Sequence, residues 1–250
     1  MNNYELIKLC ENKSDNNPII LQKIKSILDN KLIDINMTDS YDSSALSNAI
    51  QHGNIELVRL LLSYNPMLNY GSHTCKTPLS CAIYYNRYEI AQLLLDAGAD
   101  PNYKYDDSKN TTPLLYATNY NSIYFVKLLS DHNFAKNKTD DNSVALVLAS
   151  SRENIEVITQ LLATGADVDY NVKNNCNLCD IYVSKNDTPL ICAIRRNNLK
   201  LVELLLRNNA KINYGTSFCN VPLLLAVNSQ YSEIVEMLLD FGADANYNYH

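Results

Sequence analysis

The feature that most constrains the fold is a set of six leucines that recur at a nearly constant spacing. They are Leu46, Leu79, Leu114, Leu146, Leu190 and Leu223, and successive intervals are 33, 35, 32, 44 and 33 residues. A period of about 33 residues indicates repeated supersecondary units that stack on one another. The sequence therefore predicts one quasi-linear array, in which each unit contacts its neighbours, rather than one or two globular domains.

When the repeats are aligned on these leading leucines, equivalent positions form columns. Three further columns hold the same residue type, or two related types, in every repeat. Three residues after each of them stands an alanine: Ala49, Ala82, Ala117, Ala149, Ala193 and Ala226. Fifteen residues after each stands another leucine: Leu61, Leu94, Leu129, Leu161, Leu205 and Leu238. Nineteen residues after each, the column contains Asn65, Gly98, Asn133, Gly165, Asn209 and Gly242. Because glycine and asparagine tolerate left-handed backbone, this last column predicts the end of a helix.

Proline precedes the leading leucine in four repeats, at Pro78, Pro113, Pro189 and Pro222, and threonine usually precedes the proline. A hydroxyl residue followed by proline is typical of a helix N-cap and first turn. Apolar residues at helical spacing, as in the segment 57–62, predict a second helix in each unit. Each unit is thus predicted to be two short helices joined by a tight turn, followed by a hairpin-like polar stretch such as 98–103.

These residues resemble the ankyrin-repeat family over nearly the whole chain. Thr-Pro-Leu occurs at 77–79, 112–114 and 188–190, and Gly-Ala-Asp at 98–100, 165–167 and 242–244. The resemblance implies an all-α ankyrin-repeat solenoid of about six repeats plus an N-terminal capping repeat. The family's histidine after Thr-Pro-Leu is replaced in every repeat, by Ser47, Ser80, Leu115, Val147, Ile191 and Leu224. We expect this departure to alter some capping hydrogen bonds and to leave the fold intact.

The predicted N-terminal capping repeat covers residues 1–38, with helices around Tyr4–Cys10 and from Pro18 to Asp29. The predicted repeats are 39–70, 71–103, 104–138, 139–170, 171–214 (with a loop insertion) and 215–250. The last of them has an ordinary ending and no polar cap. An uncapped stack exposes apolar surface, so either the chain is a piece of a longer protein or its last repeat caps itself.

Composition bounds the class of partner. The formal net charge is −6 and the isoelectric point is near 5.2, which disfavours a general binder of nucleic acid or anionic membrane. The chain opens on polar residues and contains no apolar run long enough to span a membrane, so we expect a cytoplasmic monomer.

Free use of asparagine, tyrosine, isoleucine and lysine without tryptophan suggests an AT-rich genome, such as that of a large DNA virus or an intracellular bacterium. A secreted effector or viral protein would act in the host cytosol.

The 44-residue interval contains about 11 extra residues, at roughly 174–184, including Cys176 and Cys179. A Cys-x-x-Cys pair suggests zinc or redox chemistry, but structural zinc needs four ligands and no second pair lies nearby in sequence. A thioredoxin-like motif needs a strand–helix setting that this polar segment does not indicate. We therefore predict a decorated loop without metal. Cys81 and Cys192 share an apolar column, which predicts reduced and buried thiols.

Nothing in the sequence indicates catalysis. The six glycines are all explained by helix ends, turns and hairpins, and no phosphate-binding glycine motif occurs. The four histidines lie apart, and acidic pairs such as Asp106-Asp107 fall in predicted hairpins, where solvated turn residues are ordinary. We expect a protein that is not an enzyme and carries no cofactor.

The resemblance implies a partner-binding surface made of the hairpin tips and the exposed end of each first helix. That end corresponds to positions five and six after the leading leucine, which hold the pairs 51–52, 84–85, 119–120, 151–152, 195–196 and 228–229. The candidate binding residues there are Tyr84, Tyr85, Tyr120, Arg152, Arg195 and Arg196, joined at the hairpin tips by His73, Tyr105 and Phe218. Because tyrosine and arginine dominate binding hot spots, we predict a partner protein with an apolar or aromatic anchor near repeats two and three and acidic groups near repeats four and five. The alternative is that the three arginines pair with local carboxylates.

Two other columns carry interpretations of their own. Tyrosine recurs at Tyr70, Tyr103, Tyr170, Tyr214 and Tyr247, which favours a ladder of stacked rings over an aromatic binding ridge. By resemblance to other ankyrin arrays, Asn36, Asn102 and Asn246 are candidates for hydroxylation by an asparaginyl hydroxylase.

The leading functional hypothesis is a non-enzymatic protein–protein interaction module, used by a virus or bacterium for host manipulation. One alternative is the substrate-targeting domain of a longer enzyme or ubiquitin-ligase adaptor whose remainder lies beyond residue 250. A third hypothesis is a metal or redox sensor that uses Cys176 and Cys179.

Overall fold

The computed structural model describes residues 3–11, 17–29, 33–71, 77–104, 111–136, 141–171, 176–178, 181–183, 186–215 and 221–247. These ranges contain fourteen helices and one two-stranded sheet. The chain divides into two compact units, Met1–Asp107 and Ser108–His250, called here the N-terminal and C-terminal units. The helix pairs in both units confirm the predicted fold class.

The N-terminal unit is formed by three helix pairs. Its helices are α1 (Asn3–Cys10), α2 (Pro18–Asp29), α3 (Ala45–His52), α4 (Ile55–Leu62), α5 (Pro78–Tyr84) and α6 (Tyr88–Asp96). The first helices form one row, in which α3 contacts α1 and α5, and the second helices α2, α4 and α6 form another. The bounds of α1 and α2 agree closely with the helices predicted before the first repeat.

The C-terminal unit contains four further pairs. Its helices are α7 (Pro113–Asn119), α8 (Ile123–Lys136), α9 (Asp141–Ser151), α10 (Ile155–Ala163), α11 (Pro189–Arg195), α12 (Leu199–Arg207), α13 (Pro222–Asn228) and α14 (Ser232–Asp240). The first helices α7, α9, α11 and α13 pack one on the next. Among the second helices, α8 contacts α10 and α12 contacts α14.

The core of each unit is built from the repeated columns. All six leading leucines, all six alanines and all six leucines at the fifteenth position are buried. Full burial of a leucine side chain contributes roughly 1.5–3 kcal/mol, and the small alanines let adjacent helices approach closely. The sequence period therefore translates into a hydrophobic seam within each unit.

Hydroxyl caps start most of the first helices, but not α9 or α13, whose N-cap position holds Val221. The Oγ1 atoms of Thr77, Thr112 and Thr188 accept backbone N–H bonds from the third helical residue, at 3.1, 3.4 and 3.3 Å. Helix α9 also differs in its start, because it begins at Asp141, five residues before its leading leucine. Val144 and Ala145 stand where three other repeats have Thr-Pro, so nothing there prevents the helix from starting earlier.

The helix ends confirm most of the predicted stop column. Asn65, Gly98, Gly165, Asn209 and Gly242 all have left-handed backbone, with φ of 52°, 99°, 84°, 63° and 94°. The prediction at Asn133 is wrong, because α8 continues through it to Lys136. The residues that follow, Phe134, Ala135 and Lys136, are compatible with a helix, so the helix can continue past Asn133.

A second left-handed column separates the two helices of every repeat. It lies seven residues after each leading leucine and contains Gly53, Asn86, Asn121, Glu153, Asn197 and Gln230, with φ between 53° and 75°. Of the glycines that the sequence assigns to turns, only Gly53 belongs to this column. Asparagine tolerates such backbone, whereas glutamate and glutamine rarely adopt it.

The predicted loop insertion contains a short two-stranded sheet. Strands β1 (Cys176–Leu178) and β2 (Ile181–Val183) form an antiparallel pair, with Cys176 opposite Val183 and Leu178 opposite Ile181. Strand β2 contacts α9 of the preceding repeat. The run Ile181-Tyr182-Val183 has strong β propensity, which explains the strand.

Candidate partner-binding surface

In the N-terminal unit, the predicted aromatic residues lie at the end of α5. Tyr84 is more than half exposed and Tyr85 is partly buried. Their rings meet edge to face, with centroids 4.9 Å apart and planes at 85°. Aromatic pairs in this geometry stabilise each other by about 0.5–1.5 kcal/mol, so the two rings hold a defined orientation.

Arg87, which the sequence interpretation did not single out, links two repeats of this unit. Its Nη2 donates a hydrogen bond to the carbonyl oxygen of Gln51, at 3.0 Å. A Cβ placed on Gly53 would lie 2.8 Å from Arg87 Cζ, so the glycine makes room for the guanidinium. The signal in the sequence is an arginine at the position where three other repeats have an asparagine N-cap.

In the C-terminal unit, a tyrosine pair lies at the end of α7. Tyr116 is buried and Tyr120 is about half exposed. The ring centroids are 4.8 Å apart with planes at 58°, and the two hydroxyl oxygens are 3.4 Å apart. Tyr120 is therefore held on a buried ring while it presents part of its own surface to solvent.

The three predicted arginines have different surroundings. Arg152 donates from Nη2 to the side-chain oxygen of Asn119 in the preceding repeat. Arg195 forms an ion pair of 3.2 Å with Asp187, whose side chain is buried. Arg196 is exposed and has no ion pair with another described residue. The alternative of pairing with a local carboxylate is thus found for Arg195, whereas Arg152 pairs with an amide.

Several predicted residues lie outside the described ranges. They are His73, Tyr105, Phe218 and Cys179, and the side chain of Cys176 is likewise outside them. The hairpin-tip contacts and the Cys176–Cys179 zinc hypothesis therefore stay predictions. In the part of the chain that the structure describes, no group of three or more His, Cys, Asp or Glu side chains is arranged to hold a metal ion.

The tyrosine column has a role beyond the predicted ring ladder. Tyr70 donates its hydroxyl to Oγ of Ser44 at 2.5 Å, and the hydroxyls of Tyr214 and Thr188 are likewise hydrogen-bonded. Ser44 and Thr188 are N-caps of first helices, so each tyrosine ties the end of a repeat to the start of its own first helix. Burial raises the pKa of the Tyr214 phenol, which keeps it protonated for this bond. Stacking along the column stays a prediction.

A ladder of side-chain-to-backbone hydrogen bonds joins neighbouring repeats. Asn36, Asn69, Asp169 and Asn213 accept N–H bonds from Met67, Asp100, Lys211 and Asp244, at 2.7, 2.8, 2.8 and 2.9 Å. The sequence interpretation missed this contact, whose signal is an Asn or Asp in nearly every repeat at the position before the tyrosine. Asn36 is one of these acceptors, and hydroxylation of Asn36, Asn102 or Asn246 stays a prediction.

Three of the described cysteines lie in the core. Cys10, Cys81 and Cys192 are buried and form no disulfide, which confirms the predicted burial of Cys81 and Cys192. Burial raises the pKa of the Cys10 and Cys192 thiols to about 12, so both remain protonated near neutral pH. A protonated thiol is neither a nucleophile nor a metal ligand.

Comparison with known proteins places this architecture in a family. The model of a family described as ankyrin repeats in three copies matches residues 6–105, 102–174 and 170–249. The chain belongs to the ankyrin-repeat family. Ankyrin repeats form a protein-interaction module that is generally non-enzymatic. None of the described helices has the length and apolar character needed to cross a membrane.

Two curated relatives illustrate the range of similar proteins. The ankyrin repeat protein FPV014 of Fowlpox virus (strain NVSL) is 28% identical over 136 residues, which cover 54% of this chain and 31% of that protein. The human NF-kappa-B inhibitor alpha is 29% identical over 138 residues, covering 52% of this chain and 43% of the inhibitor. The chain thus spans less than half the length of these relatives.

Solved structures show the same fold. The ankyrin repeat domain of Bcl-3, an IkappaB family member, is 26% identical with a TM-score of 0.70, over 83% of this chain and 90% of that one. An ankyrin repeat domain from Acinetobacter baumannii AYE is 27% identical with a TM-score of 0.66, over 82% and 100% of the two chains.

Proposed function

We propose that this protein is a non-enzymatic binding module that holds a partner protein on the ends of its first helices. One observation in the C-terminal unit carries the proposal. The helices α7, α9 and α11 pack side by side, and at or directly after their ends lie Tyr120, Arg152 and the pair Arg195-Arg196. Tyrosine and arginine at the ends of three consecutive helices supply the residue types that contribute most to protein interfaces.

The contacts within this row favour binding because they fix two of its arginines in place. Arg152 is held by Asn119, and Arg195 is held by Asp187. An arginine that is already ordered loses less side-chain entropy when a carboxylate of the partner reaches it. Arg196 adds an exposed positive charge to this row. The chemistry fits a partner segment with an apolar or aromatic group for Tyr120 and acidic groups for the arginines.

The N-terminal unit contributes an aromatic site of its own. Tyr84 and Tyr85 form a rigid edge-to-face pair at the end of α5. Two rings with fixed orientation and partial exposure give contact area at low entropic cost, as tyrosine does in antibody paratopes. We propose that this pair binds an apolar anchor of the partner.

The cellular setting is also a proposal. Similarity to a fowlpox ankyrin protein and the amino-acid composition support a viral or bacterial protein that acts in the host cytoplasm as a monomer. The human inhibitor, named for NF-kappa-B, supports a protein as the partner rather than nucleic acid or membrane. Because the relatives are longer than this chain, a targeting domain of a larger enzyme or ligase adaptor is the second candidate.

A peptide-display selection tests the chemistry of the partner. The chain is used to select from a random peptide library of about 16 residues, and the selected peptides are measured by fluorescence anisotropy. We expect enrichment of acidic residues beside an aromatic or aliphatic anchor. Arg196→Glu and Tyr120→Ser should each weaken these peptides by about tenfold or more, as hot-spot changes do.

The matched control is Lys200→Glu, which makes the same charge reversal at an exposed position of the same repeat, on α12. It should change affinity by less than about twofold, since an isolated charge outside an interface contributes little. If Arg196→Glu and Lys200→Glu lowered the affinity equally, the change in net charge alone would explain the effect. Full affinity in both Arg196→Glu and Tyr120→Ser would contradict the proposed site.

A further inference from the structure

The last helix pair carries a second surface, on the side away from α11 and α12. In the fifth repeat, α13 covers α11 and α14 covers α12, and the facing columns are buried, with Ile194 at 0% exposure and Leu206 at 5%. In the sixth repeat the same two columns hold Val227 and Leu239, which are 53% and 45% exposed. Residues of the type that packs against a following helix are therefore open to solvent here.

The same helix pair carries further apolar side chains that are exposed or half-buried, and we call its surface away from α11 and α12 the α13–α14 outer face. Phe241 is exposed just after α14. Leu224 and Leu225 are half-buried, whereas Ile191 and Cys192 in the same columns of the fifth repeat are buried. A contiguous apolar patch is uncommon on a soluble protein and marks an interaction site when polar residues surround it.

The charged residues of the last helix pair all have one sign. Residues 212–247 contain four acidic residues and no lysine or arginine. The acids are Glu233, Glu236, Asp240 and Asp244, and all four are exposed on α14 or the turn after it. A partner that binds here brings its own charges close to these carboxylates, so opposite charges are favoured and like charges are excluded.

We propose that the α13–α14 outer face is a docking site for an amphipathic α-helix of a partner protein, with an apolar stripe flanked by lysine or arginine. The apolar part follows from continuity, because the same columns in the fifth repeat already receive a helix, α13. The basic flanks follow from the acidic rim. This mode corresponds to a helix laid into a hydrophobic groove and read by residues at helical spacing. The site is separate from the row of Tyr120, Arg152, Arg195 and Arg196.

The acidic rim also argues against a second copy of this chain as the occupant. Two outer faces brought together would bring two α14 helices into one interface, and each of them carries Glu233, Glu236 and Asp240 and no basic residue. Like charges at a desolvated interface are destabilising. A heterologous basic helix avoids this repulsion and neutralises the rim.

The test uses three synthetic helical peptides of about 16 residues, built on helical spacing. The first has a leucine–alanine stripe flanked by lysines, the second the same stripe flanked by glutamates, and the third the same lysines with serine in the stripe. Binding to the whole chain is measured by fluorescence anisotropy at physiological salt. The first peptide should bind at least about tenfold more tightly than either of the others. It alone combines an apolar stripe for the apolar patch with lysines for the acidic residues.

Variants localise the binding. The double variant Val227→Ser/Leu239→Ser should weaken the first peptide by about tenfold or more. Ile19→Ser, which removes an exposed apolar residue from α2, should leave its affinity within about twofold. Circular dichroism checks that the double variant stays folded, and Glu233→Lys/Glu236→Lys provides a second test that keeps the apolar patch.

Three outcomes overturn the proposal: weak binding of all three peptides, equal loss in Ile19→Ser and in the double variant, or full affinity in Glu233→Lys/Glu236→Lys. Analytical ultracentrifugation gives a fourth. A dimer that forms in the unmodified chain and disappears in Val227→Ser/Leu239→Ser assigns the face to a second copy. None of these results depends on Tyr120 or Arg196, so this inference and the proposed function fail independently.

Discussion

The fifth and sixth repeats have the same two helices and differ in the residues that cap these helices and form the turn between them. In the fifth, Thr188 caps α11 and Asn198 caps α12, and the turn between the helices uses Asn197. In the sixth, the N-cap positions hold Val221 and Tyr231, neither of which forms a side-chain cap, and the turn uses Gln230. Local determinants that stabilise one helix pair are therefore missing from its neighbour.

What the two repeats share shows which positions the helix pair needs. Both repeats keep the leading leucine, the alanine and the leucine at the fifteenth position, and all of these are buried. Packing against the preceding repeat thus suffices to form a helix pair without caps. In an array whose stability is a sum of repeat and interface contributions, a repeat without caps opens more readily than its neighbour. Such a repeat can adjust its exposed face to a docking helix.

The largest effect is expected from truncating the buried leucine that the two repeats share. Leu205 and Leu238 occupy the same column and are both fully buried. Leu205→Ala should lower the free energy of unfolding by about 3–4 kcal/mol, because its pocket is enclosed by repeats on both sides. Leu238→Ala should cost only about 2 kcal/mol, since the surroundings of this residue are partly open and relax around the cavity.

Urea unfolding followed by circular dichroism measures both changes, with Ile19→Ser as a control at an exposed apolar position. If Leu238→Ala lowered the free energy of unfolding as much as Leu205→Ala, the sixth repeat would be packed as tightly as the fifth. The proposed difference between the two repeats would then be wrong.

The next effect comes from exchanging the N-cap residues. Thr188→Val removes the cap of α11 and the hydroxyl partner of Tyr214, so it should cost about 1–2 kcal/mol. Val221→Thr makes the reverse change in the sixth repeat and should stabilise it by about 0.5–1 kcal/mol. Hydrogen exchange of the α11 and α13 amides locates each effect.

Thr188→Ser is the matched control, since it keeps the hydroxyl and should retain most of the stability. Loss of stability in Val221→Thr would show that the backbone at this position cannot place a hydroxyl toward the third amide of α13.

The sequence predicts those parts of the fold that local chemistry decides. Thr77, Thr112 and Thr188 start helices as predicted because the threonine caps and the following proline cannot be inside a helix. Gly98, Gly165 and Gly242 end helices because only a residue without Cβ takes their backbone easily. The predicted helix end is wrong at Asn133, where α8 continues to Lys136.

The contacts of the candidate site depend on which side chains meet in three dimensions. Arg152 was identified by its position, but its partner Asn119 lies 33 residues earlier and only stacking brings the two together. The same holds for Arg87 and the Gln51 carbonyl, and for Asp187, whose burial beside Arg195 no local pattern indicates. The position of a residue in the repeat predicts its type and its place in the helix pair. It does not predict which side chain of the adjacent repeat the residue contacts.

The smallest effect concerns the left-handed turns. Gln230 has φ of 60°, where a side chain other than Asn is unfavourable, whereas Asn197 has φ of 53° and tolerates it. Gln230→Gly should raise the free energy of unfolding by about 0.5–1 kcal/mol, and Asn197→Gly should change it by only a few tenths. Gln230→Ala retains a Cβ in the same backbone and should show almost no gain. The midpoints of thermal unfolding of the three variants give the ranking. If Asn197→Gly stabilised the chain as much as Gln230→Gly, the turn of the fifth repeat would be as strained as that of the sixth, and this part of the contrast between the repeats would disappear.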